Sequence, residues 1–256
     1  MLKSILVCGA SSKIGQVLCH ELSDLGYVIF AGYRNHLTVP KGRNIIPIKL
    51  DITSDTLCQK AVKEVLRSKN KLTAVVNLVG ASYSGETISL QSQDFNTILD
   101  TNTVGAFRVM KAVLPHLPKG GRVINIGSLS GIISFPNFGL YSASKFALRA
   151  LSLSLYHEWL PRKRYVVCLS LGAVANDSNR VLAHNSARSR IPLLGLLLPL
   201  TTPAKVAKIV AKTIIEKKPP AEVLVGNDTV LLSLLYRLLP AKWWNSVQQY
   251  IWQKQQ

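Results

Sequence analysis

The chain has 256 residues, of which 48% are apolar and 17% charged, so it can bury a sizeable core and is not a disordered chain. Its 31 Lys and Arg against 13 Asp and Glu give a net charge of +18, which favours anionic partners such as nucleotides or acidic lipids, with a solvated basic surface as the alternative. The sequence has no nucleic-acid-binding module and no basic stripe with stacking aromatics, so we predict no nucleic-acid partner.

Strand-like and helix-like segments alternate along the chain. Short apolar runs predict strands over residues 5–8, 27–31, 45–50, 72–79, 122–126, 165–171 and 222–225. Apolar residues at helical spacing predict helices over residues 14–25, 55–68, 94–117, 141–160 and 203–216. This alternation favours a parallel sheet with helices on both faces and right-handed crossovers. The predicted fold class is therefore α/β, with one doubly wound domain over residues 1–256 and a sheet of about seven strands.

A glycine-containing turn joins the first predicted strand to the first predicted helix. In a doubly wound fold, a dinucleotide binds at this position. Glycine lets the backbone turn tightly, and the free N–H groups of the helix N-terminus attract a pyrophosphate. An ordinary turn between a strand and a helix is the alternative. The predicted cofactor contacts in the turn are Gly9, Ser11, Ser12, Lys13, Ile14 and Gly15.

A tyrosine and a lysine four residues apart begin the predicted helix over residues 141–160. Because of this spacing, Tyr141 and Lys145 project from one face of the helix. A phenol with an ordinary pKa near ~10 exchanges its proton poorly at neutral pH, and a nearby cation favours the phenolate. The pair therefore predicts proton transfer to or from a carbonyl or alcohol oxygen. A structural role is the alternative, because such a pair also arises by chance.

Further candidate site residues, most of them polar or glycine, stand at or near the ends of predicted strands, where ligands of open α/β sheets bind. Ser128 precedes Tyr141 by thirteen residues, and Asn102 lies within the predicted helix over residues 94–117. The others, in chain order, are Asp51, Ile52, Asn77, Gly80, Gly172 and Val174.

Taken together, these motifs resemble the short-chain dehydrogenase/reductase family over nearly the whole chain. The resemblance implies a Rossmann fold and an enzyme that moves hydride between a nicotinamide dinucleotide and a carbonyl or alcohol carbon. It implies that Tyr141 is the general acid and base and that Lys145 binds the nicotinamide ribose. It also implies that Ser128 donates to the carbonyl oxygen and that Asn102 holds a water near Lys145.

The same resemblance implies further cofactor contacts, and it has departures. The implied contacts are Asp51, Ile52, Asn77, Gly80, Tyr141, Lys145, Gly172 and Val174. Cys8, Lys13 and Leu171 stand where the family usually has threonine, glycine and proline. These departures leave open a second hypothesis, a weakly active or inactive protein that senses NADP(H) or serves as a scaffold.

The residues after the second predicted strand indicate which cofactor is bound. Relatives that prefer NAD carry an acid near this point, whereas this chain has Tyr33 and Arg34. A guanidinium can pair with the 2′-phosphate of NADP through two hydrogen bonds. NADP(H) is therefore the predicted cofactor, and NAD(H) is the alternative, because Arg34 stacked on adenine would tolerate both.

A strongly apolar segment over residues of about 173–202 is the predicted substrate loop. Such a loop suits a lipophilic alcohol, ketone or aldehyde, such as a steroid or a retinoid, and a lid helix packed on the core is the alternative. Residues 127–131, 141–147 and 224–228 also resemble a bacterial branch similar to 17β-hydroxysteroid and retinol dehydrogenases. The resemblance alone implies a homodimer or a homotetramer.

The C-terminal stretch over residues of about 229–252 has apolar residues at helical spacing, together with Arg237, Lys242, Trp243 and Trp244. The favoured interpretation is an amphipathic helical tail that packs on the domain or on a second subunit. Indoles near cations also suit a membrane interface, so a peripheral-membrane contact is the alternative. A third functional hypothesis is then a basic peripheral-membrane protein that binds lipid without reacting.

The cysteines and histidines predict no metal site. The cysteines have no paired spacing, so we expect buried free thiols in a reducing compartment, and hence a cytoplasmic protein with the inner membrane face as the alternative location. The five histidines lack metal-ligand spacing. No run approaches the ~20 apolar residues of a membrane span, and the N-terminus lacks the pattern of a signal peptide.

Overall fold

A seven-stranded parallel sheet forms the centre of the computed structural model, which describes residues 2–34, 38–68, 70–175 and 199–253. The strands follow the order β3-β2-β1-β4-β5-β6-β7, and every neighbouring pair is parallel. Their bounds are β1 (Lys3–Cys8), β2 (Val28–Tyr33), β3 (Ile45–Lys49), β4 (Lys71–Asn77), β5 (Arg122–Ser128), β6 (Tyr165–Leu171) and β7 (Glu222–Val225). The predicted fold class, a single doubly wound α/β domain with about seven strands, is confirmed.

Helices cover both faces of this sheet. In the described residues they are α1 (Lys13–Asp24), α2 (Asp55–Arg67), α3 (Ser92–Leu99), α4 (Gly105–Val113), α5 (Gly139–Trp159), α6 (Pro203–Ile215), α7 (Asn227–Leu238) and α8 (Ala241–Gln253). Successive side chains of a strand point to opposite faces. Ile5 and Val7 of β1 therefore pack with α1 and α6, whereas Leu6 and Cys8 pack with α2 and α4.

The strand order positions the ligand-binding edge. The chain leaves β1 towards β2 and β3, then returns to β4 on the other side of β1. The helices that follow β1 and β4 therefore diverge to opposite faces and leave a crevice at the carboxyl ends of these two strands. The motifs predicted from the sequence follow β1, β2, β4, β5 and β6, so they surround this edge.

The long helix predicted over residues 94–117 is present as a continuous helical run over residues 92–116, but it is not α-helical throughout. The structure has α3, a π-helical turn over Asp100–Val104, α4, and a 3₁₀ turn over Leu114–His116. A π turn adds one residue to the helix and rotates everything after it. Gly105, which follows the turn, packs so closely on Ile52 that an added Cβ would lie 2.7 Å from the Ile52 side chain.

The tail predicted as one helical stretch over residues 229–252 consists of two helices. Helix α7 ends at Leu238, Leu239 is extended with a ψ of 136°, and Pro240 precedes α8. Proline lacks a backbone N–H and disfavours helical backbone at the residue before it, which explains the break. None of the described helices is long and apolar enough to cross a membrane.

All four cysteines are buried free thiols, as the sequence predicted. Burial raises the pKa of Cys58 and of Cys168 to about 11, so both thiols are protonated at neutral pH. Within the ranges that the structure describes, no group of three His, Cys, Asp or Glu side chains could hold a metal ion.

Candidate active site

The turn between β1 and α1 has the close backbone approach that its glycines predicted. Gly9 has a φ of +84°, and a Cβ added at Gly15 would collide with the carbonyl oxygen of Gly9. The Ser12 hydroxyl accepts from the Gly15 N–H at 3.1 Å and donates to the Gly9 oxygen at 2.9 Å. Ser12, predicted as a cofactor contact, is thus engaged as the N-cap of α1.

Lys13 is the first residue of α1, and its side chain is exposed to solvent. The lysine that departs from the family motif is therefore not folded into the turn. The turn keeps the open N-terminus of α1, which suits an anionic group. By backbone geometry and helix orientation, these residues fit the pyrophosphate of a dinucleotide.

The predicted catalytic pair lies in the first two turns of α5. The Lys145 Nζ is 5.8 Å from the centroid of the Tyr141 ring and donates to the Ile126 oxygen of β5 at 2.9 Å. Lys145 is only 4% exposed, whereas Tyr141 is half-buried. The ammonium has three N–H donors, and the described part of the chain provides an acceptor for one of them. Tyr141 and Lys145 therefore face the same space, as the sequence predicted.

Asn102 lies in the π turn and is fully buried. Its Oδ1 accepts from the Ala81 N–H at 2.7 Å, and its Nδ2 donates to the Ala81 oxygen at 2.9 Å. A Cβ added at Gly80 would lie 3.4 Å from both the Asn102 Oδ1 and the Lys145 Nζ. The structure thus brings Asn102, Gly80 and Lys145 together, and the missing side chain of exposed Gly80 leaves space over the ammonium.

Ser144 links these groups and was missed by the sequence analysis. Its hydroxyl donates to the Tyr141 oxygen at 2.7 Å and accepts from the Asn102 Nδ2 at 2.9 Å. The Thr103 hydroxyl donates to the Ser144 oxygen at 2.9 Å. Ser144 therefore ties the π turn to the first turns of α5. The only sequence signal was a small polar residue beside Lys145, which is also common as helix filler.

Ser128 is the last residue of β5 and is half-buried. Two positions earlier on the same strand, the backbone oxygen of Ile126 accepts from the Lys145 ammonium. The Ser128 oxygen accepts from the Ser130 N–H at 3.1 Å. Because that bond uses a lone pair of the hydroxyl, its O–H can donate to a ligand.

Two cations lie after β2 and β3. Arg34 is exposed, and its backbone oxygen accepts from the Lys49 Nζ at 2.6 Å. The same ammonium lies 5.9 Å from the centroid of the Tyr33 ring. Burial raises the pKa of the Asp51 carboxyl, but hydrogen bonds from Thr53 and the charges of Arg34 and Lys49 outweigh burial and lower it. This corner combines a carboxylate with two cations.

Other predicted cofactor contacts are buried inside the protein. The Asn77 Nδ2 donates to the Asn125 Oδ1 at 2.7 Å, and the Asn125 Nδ2 donates to the Ser152 hydroxyl at 2.8 Å. Asn77 thus joins β4 to β5. Ile52 and Val174 are also buried.

Asp228, near the start of α7, is a second residue that the sequence analysis did not assign to the site. Its carboxylate is 3% exposed and accepts from the Ala173 N–H at 2.8 Å and from the Thr229 N–H at 2.9 Å. A Cβ added at Gly172 would collide with this carboxylate. Asp228 therefore fixes the chain where it leaves β6. An acid in the first turn of a helix is common, so the pattern gave no functional signal.

The predicted substrate loop lies mostly outside the described residues, which omit 176–198. At its two ends, Val174 pairs with Thr201. The Ala175 N–H donates to the Thr201 oxygen at 2.8 Å, and the Thr201 N–H donates to the Ala173 oxygen at 2.9 Å. Both ends of the segment are thus held beside the carboxyl end of β6.

Helices α7 and α8 pack beside the segment that follows Ser128. Leu232, Leu235 and Trp244 join a cluster with Leu129 and Ile133. The Tyr236 and Trp244 rings meet edge to face, with centroids 5.3 Å apart. One face of each tail helix therefore covers the domain, as the favoured interpretation of the sequence predicted.

Comparison with known proteins gives a family and a set of similar structures. The family model described as short chain dehydrogenase matches residues 3–187. A curated relative, 3-ketodihydrosphingosine reductase of Bacteroides thetaiotaomicron, is 27% identical over 238 residues, which cover 87% of each chain.

Two solved structures illustrate the likeness of the fold. A short-chain dehydrogenase from Streptomyces avermitilis has a TM-score of 0.79 and 24% identity, with 97% of this chain and 98% of that chain covered. A short chain dehydrogenase from Burkholderia cenocepacia in complex with NADP has a TM-score of 0.76 and 21% identity, with 93% and 97% covered.

Proposed function

Because the chain belongs to the short-chain dehydrogenase family, and is thus an oxidoreductase of small alcohols or carbonyls, we propose that it is an NADP(H)-dependent enzyme that interconverts a lipophilic alcohol and its ketone or aldehyde. The observation that carries the proposal is the meeting of the Tyr141 ring and the Lys145 ammonium beneath the open space at Gly80. These are groups of the kind that proton transfer to a carbonyl oxygen requires.

In this proposal Tyr141 is the general acid and base. In the reducing direction its hydroxyl gives a proton to the oxygen of the carbonyl, and in the other direction the phenolate takes the proton of the alcohol. The buried Lys145 ammonium lies beside the ring, 5.8 Å from its centroid. Its bond to the Ile126 oxygen keeps the ammonium on this side of α5.

Ser128 and Asn102 complete the proposed set. The Ser128 O–H donates to the substrate oxygen and stabilises the charge that develops there. The Asn102 amide is occupied by Ala81 and Ser144, so its side chain holds the π turn against α5 beside Lys145. The family resemblance also implies that Asn102 holds a water near Lys145, and we include that role in the proposal.

The nicotinamide cofactor, when bound, supplies the hydride. We propose that the turn over residues 9–15 holds its pyrophosphate, that Gly80 and Lys145 receive the nicotinamide ribose, and that the end of β6 at Gly172 borders the ring. The close packing of Gly9 against Gly15 and the open position at Gly80 support this placement.

The preference for NADP(H) over NAD(H) is supported by charge. Arg34 is exposed at the carboxyl end of β2, and Lys49 reaches its backbone oxygen, so two cations would face the 2′-phosphate. Several solved structures with the same fold contain NADP or NADPH.

Two observations support a lipophilic substrate. The sequence between Ala173 and Thr202 ends in the apolar run over residues 191–200, and we propose that the whole stretch forms the substrate loop of the single domain. The relative named 3-ketodihydrosphingosine reductase carries a long-chain ketone in its name. A ketone with a long hydrocarbon chain is therefore the substrate class to test first.

The deciding experiment measures binding and turnover separately. Fluorescence titration of the wild-type protein with NADPH and NADH should show tighter binding of NADPH. A panel of apolar ketones and aldehydes, followed at the nicotinamide absorbance, should reveal turnover that Tyr141→Phe lowers roughly a thousandfold without weakening NADPH binding.

Tyr156→Phe is the matched control. Tyr156 is also on α5, further along the helix than Lys145. Its hydroxyl donates to the Pro219 oxygen at 3.0 Å. Turnover should survive in this variant. NADPH binding with no turnover of any carbonyl, in wild type and Tyr141→Phe alike, would instead favour a sensing protein.

A further inference from the structure

Two rows of exposed apolar side chains run along α7 and α8. On α7 they are spaced three and four residues apart, and on α8 four and three apart, so each row lies on one face of its helix. We name the two rows together the tail surface, which consists of Leu231, Leu234, Leu238, Trp243, Val247 and Tyr250. Leu238 is 70% exposed and Trp243 is 64% exposed, too much for core residues.

The tail surface is separate from the face that packs on the domain. Leu232, Leu235 and Trp244 make the contacts with the domain core, and they alternate with the exposed residues along each helix. The edge-to-face contact of Tyr236 with Trp244 fastens the two helices to each other. Both apolar rows are therefore presented from helices that are already held in place.

The charge around these rows has one sign. Asp228 is the single acidic residue between residues 227 and 253, and it is buried in its bonds to Ala173 and Thr229. Arg237 and Lys242 are exposed, one on each helix. The whole chain carries a net charge of +18. An anionic partner meets no carboxylate on the tail helices and is attracted over a long range.

We propose that the tail surface docks the protein on a membrane with anionic headgroups. An exposed indole and phenol next to cations suit the boundary between headgroups and acyl chains, and leucines between them supply apolar area to bury. A second copy of the chain would bring the same +18 charge to the contact and would be repelled. The inference rests on the tail helices and on the net charge of the chain, and it is independent of the proposed oxidoreductase activity.

The test is co-sedimentation of the full chain with vesicles. Wild-type protein should bind phosphatidylcholine vesicles that contain phosphatidylglycerol at about 0.1 M salt, and binding should weaken at about 0.5 M salt, where charges are screened more strongly. The double substitution Leu238→Gln/Trp243→Gln should lower the partition coefficient roughly tenfold, because it removes apolar area from the interface. Vesicles of phosphatidylcholine alone should bind less than the anionic ones.

The control is Leu25→Gln/Ile215→Gln, which removes two exposed large apolar residues at the ends of α1 and α6. It should bind vesicles like wild type, and thermal unfolding of both double variants should show that they remain folded. No vesicle binding at low salt, or equal loss in both double variants, overturns the proposal. Sedimentation velocity gives a second test. If the wild type is a dimer and Leu238→Gln/Trp243→Gln is a monomer, a second copy covers the tail surface and the proposal is overturned.

Discussion

Two corners of the ligand-binding edge are built in different ways. The corner that we propose to be catalytic, formed by Asn102, Tyr141, Ser144 and Lys145 and called the catalytic corner, is held by hydrogen bonds between buried groups about forty residues apart in sequence. The corner that we propose to receive the adenine end of the cofactor, formed by Tyr33, Arg34, Lys49 and Asp51 and called the adenine corner, presents exposed cations on the ends of two neighbouring strands.

The difference indicates a division of work. Buried polar networks are rigid and lose much when one partner is removed, so the catalytic corner is suited to fixing geometry. Exposed charges are mobile and are screened by salt, so the adenine corner is suited to selecting among cofactors by charge. Substitutions at the adenine corner should therefore change affinity, and those at the catalytic corner should change rate.

The largest effect on cofactor affinity is expected at the adenine corner. Arg34→Glu should weaken NADPH binding roughly a hundredfold, because it replaces a charge-assisted partner of the 2′-phosphate with a like charge. The affinity for NADH should change by less than about threefold, since NADH lacks that phosphate. Fluorescence titration with both nucleotides measures the ratio.

Arg43→Glu is the control, because Arg43 is also exposed and precedes β3. It changes the net charge by the same amount and should affect NADPH only through the weak general field. Equal losses in the two variants would mean that the adenine corner does not select the cofactor.

A smaller effect, on the rate of turnover, should distinguish Ser144 from Ser152, two serines of α5. Ser144→Ala removes the hydroxyl between Asn102 and Tyr141 and should lower kcat roughly tenfold, with the KM for NADPH unchanged. Steady-state kinetics on an active carbonyl measure kcat and KM. The free energy of unfolding, measured by chemical denaturation, should fall by about 1 to 3 kcal/mol, since the buried Asn102 Nδ2 loses an acceptor.

Ser152→Ala is closely matched. Ser152 is fully buried on the same helix, accepts from the Asn125 Nδ2 at 2.8 Å and donates to the Leu148 oxygen at 2.7 Å. Both variants should lose similar stability, and only Ser144→Ala should lose turnover. If kcat falls alike in both, the catalytic corner has no special dependence on Ser144.

The smallest effect concerns an ion pair further along α5. Arg149, one turn after Lys145, makes two bonds of 2.7 Å to Glu222 of β7. Burial raises the pKa of the Glu222 carboxyl, but bonds from Arg149 and Ser170 outweigh burial and lower it. This carboxylate therefore stabilises the fold above the ordinary pKa of glutamate, near ~4.3, and the stabilisation is lost as the pH falls through the lower folded-state pKa.

Glu222→Gln should remove that pH-dependent part of the stability and leave NADPH affinity unchanged. Denaturation of wild type and variant between pH 7 and pH 3 measures the difference, which should shrink at the acid end. Glu158→Gln, at an exposed carboxyl of α5, is the charge-matched comparison. A constant difference at every pH would place the contribution of Glu222 in packing.

The sheet and the main site residues could be predicted because each leaves a local pattern. The continuous apolar runs of β6 and β7 predicted both strands with their observed bounds. Helical spacing predicted that Tyr141 and Lys145 share one face of α5, and the family resemblance supplied their proposed roles.

The rest depended on contacts between segments far apart in sequence. The π turn at Asn102 was hidden because apolar residues continue at helical spacing on both sides of it. Ser144 and Asp228 are short polar residues whose partners, Asn102 and Ala173, lie about forty and fifty residues away. The break in the tail did have a local signal, Pro240, which the apolar spacing of the tail outweighed.

The two ends of the proposed substrate loop are paired with each other, and this pairing has a consequence for how the protein can evolve. Ala173, Val174 and Thr201 are joined by backbone hydrogen bonds, and Asp228 anchors the first of them to α7. These backbone bonds offset part of the entropy cost of holding the two ends together. That cost grows only slowly with the length of the chain between them. A stretch of different length or composition can be spliced between the two ends while β6 and β7 keep their register, which makes the segment a natural place for a new substrate range to arise.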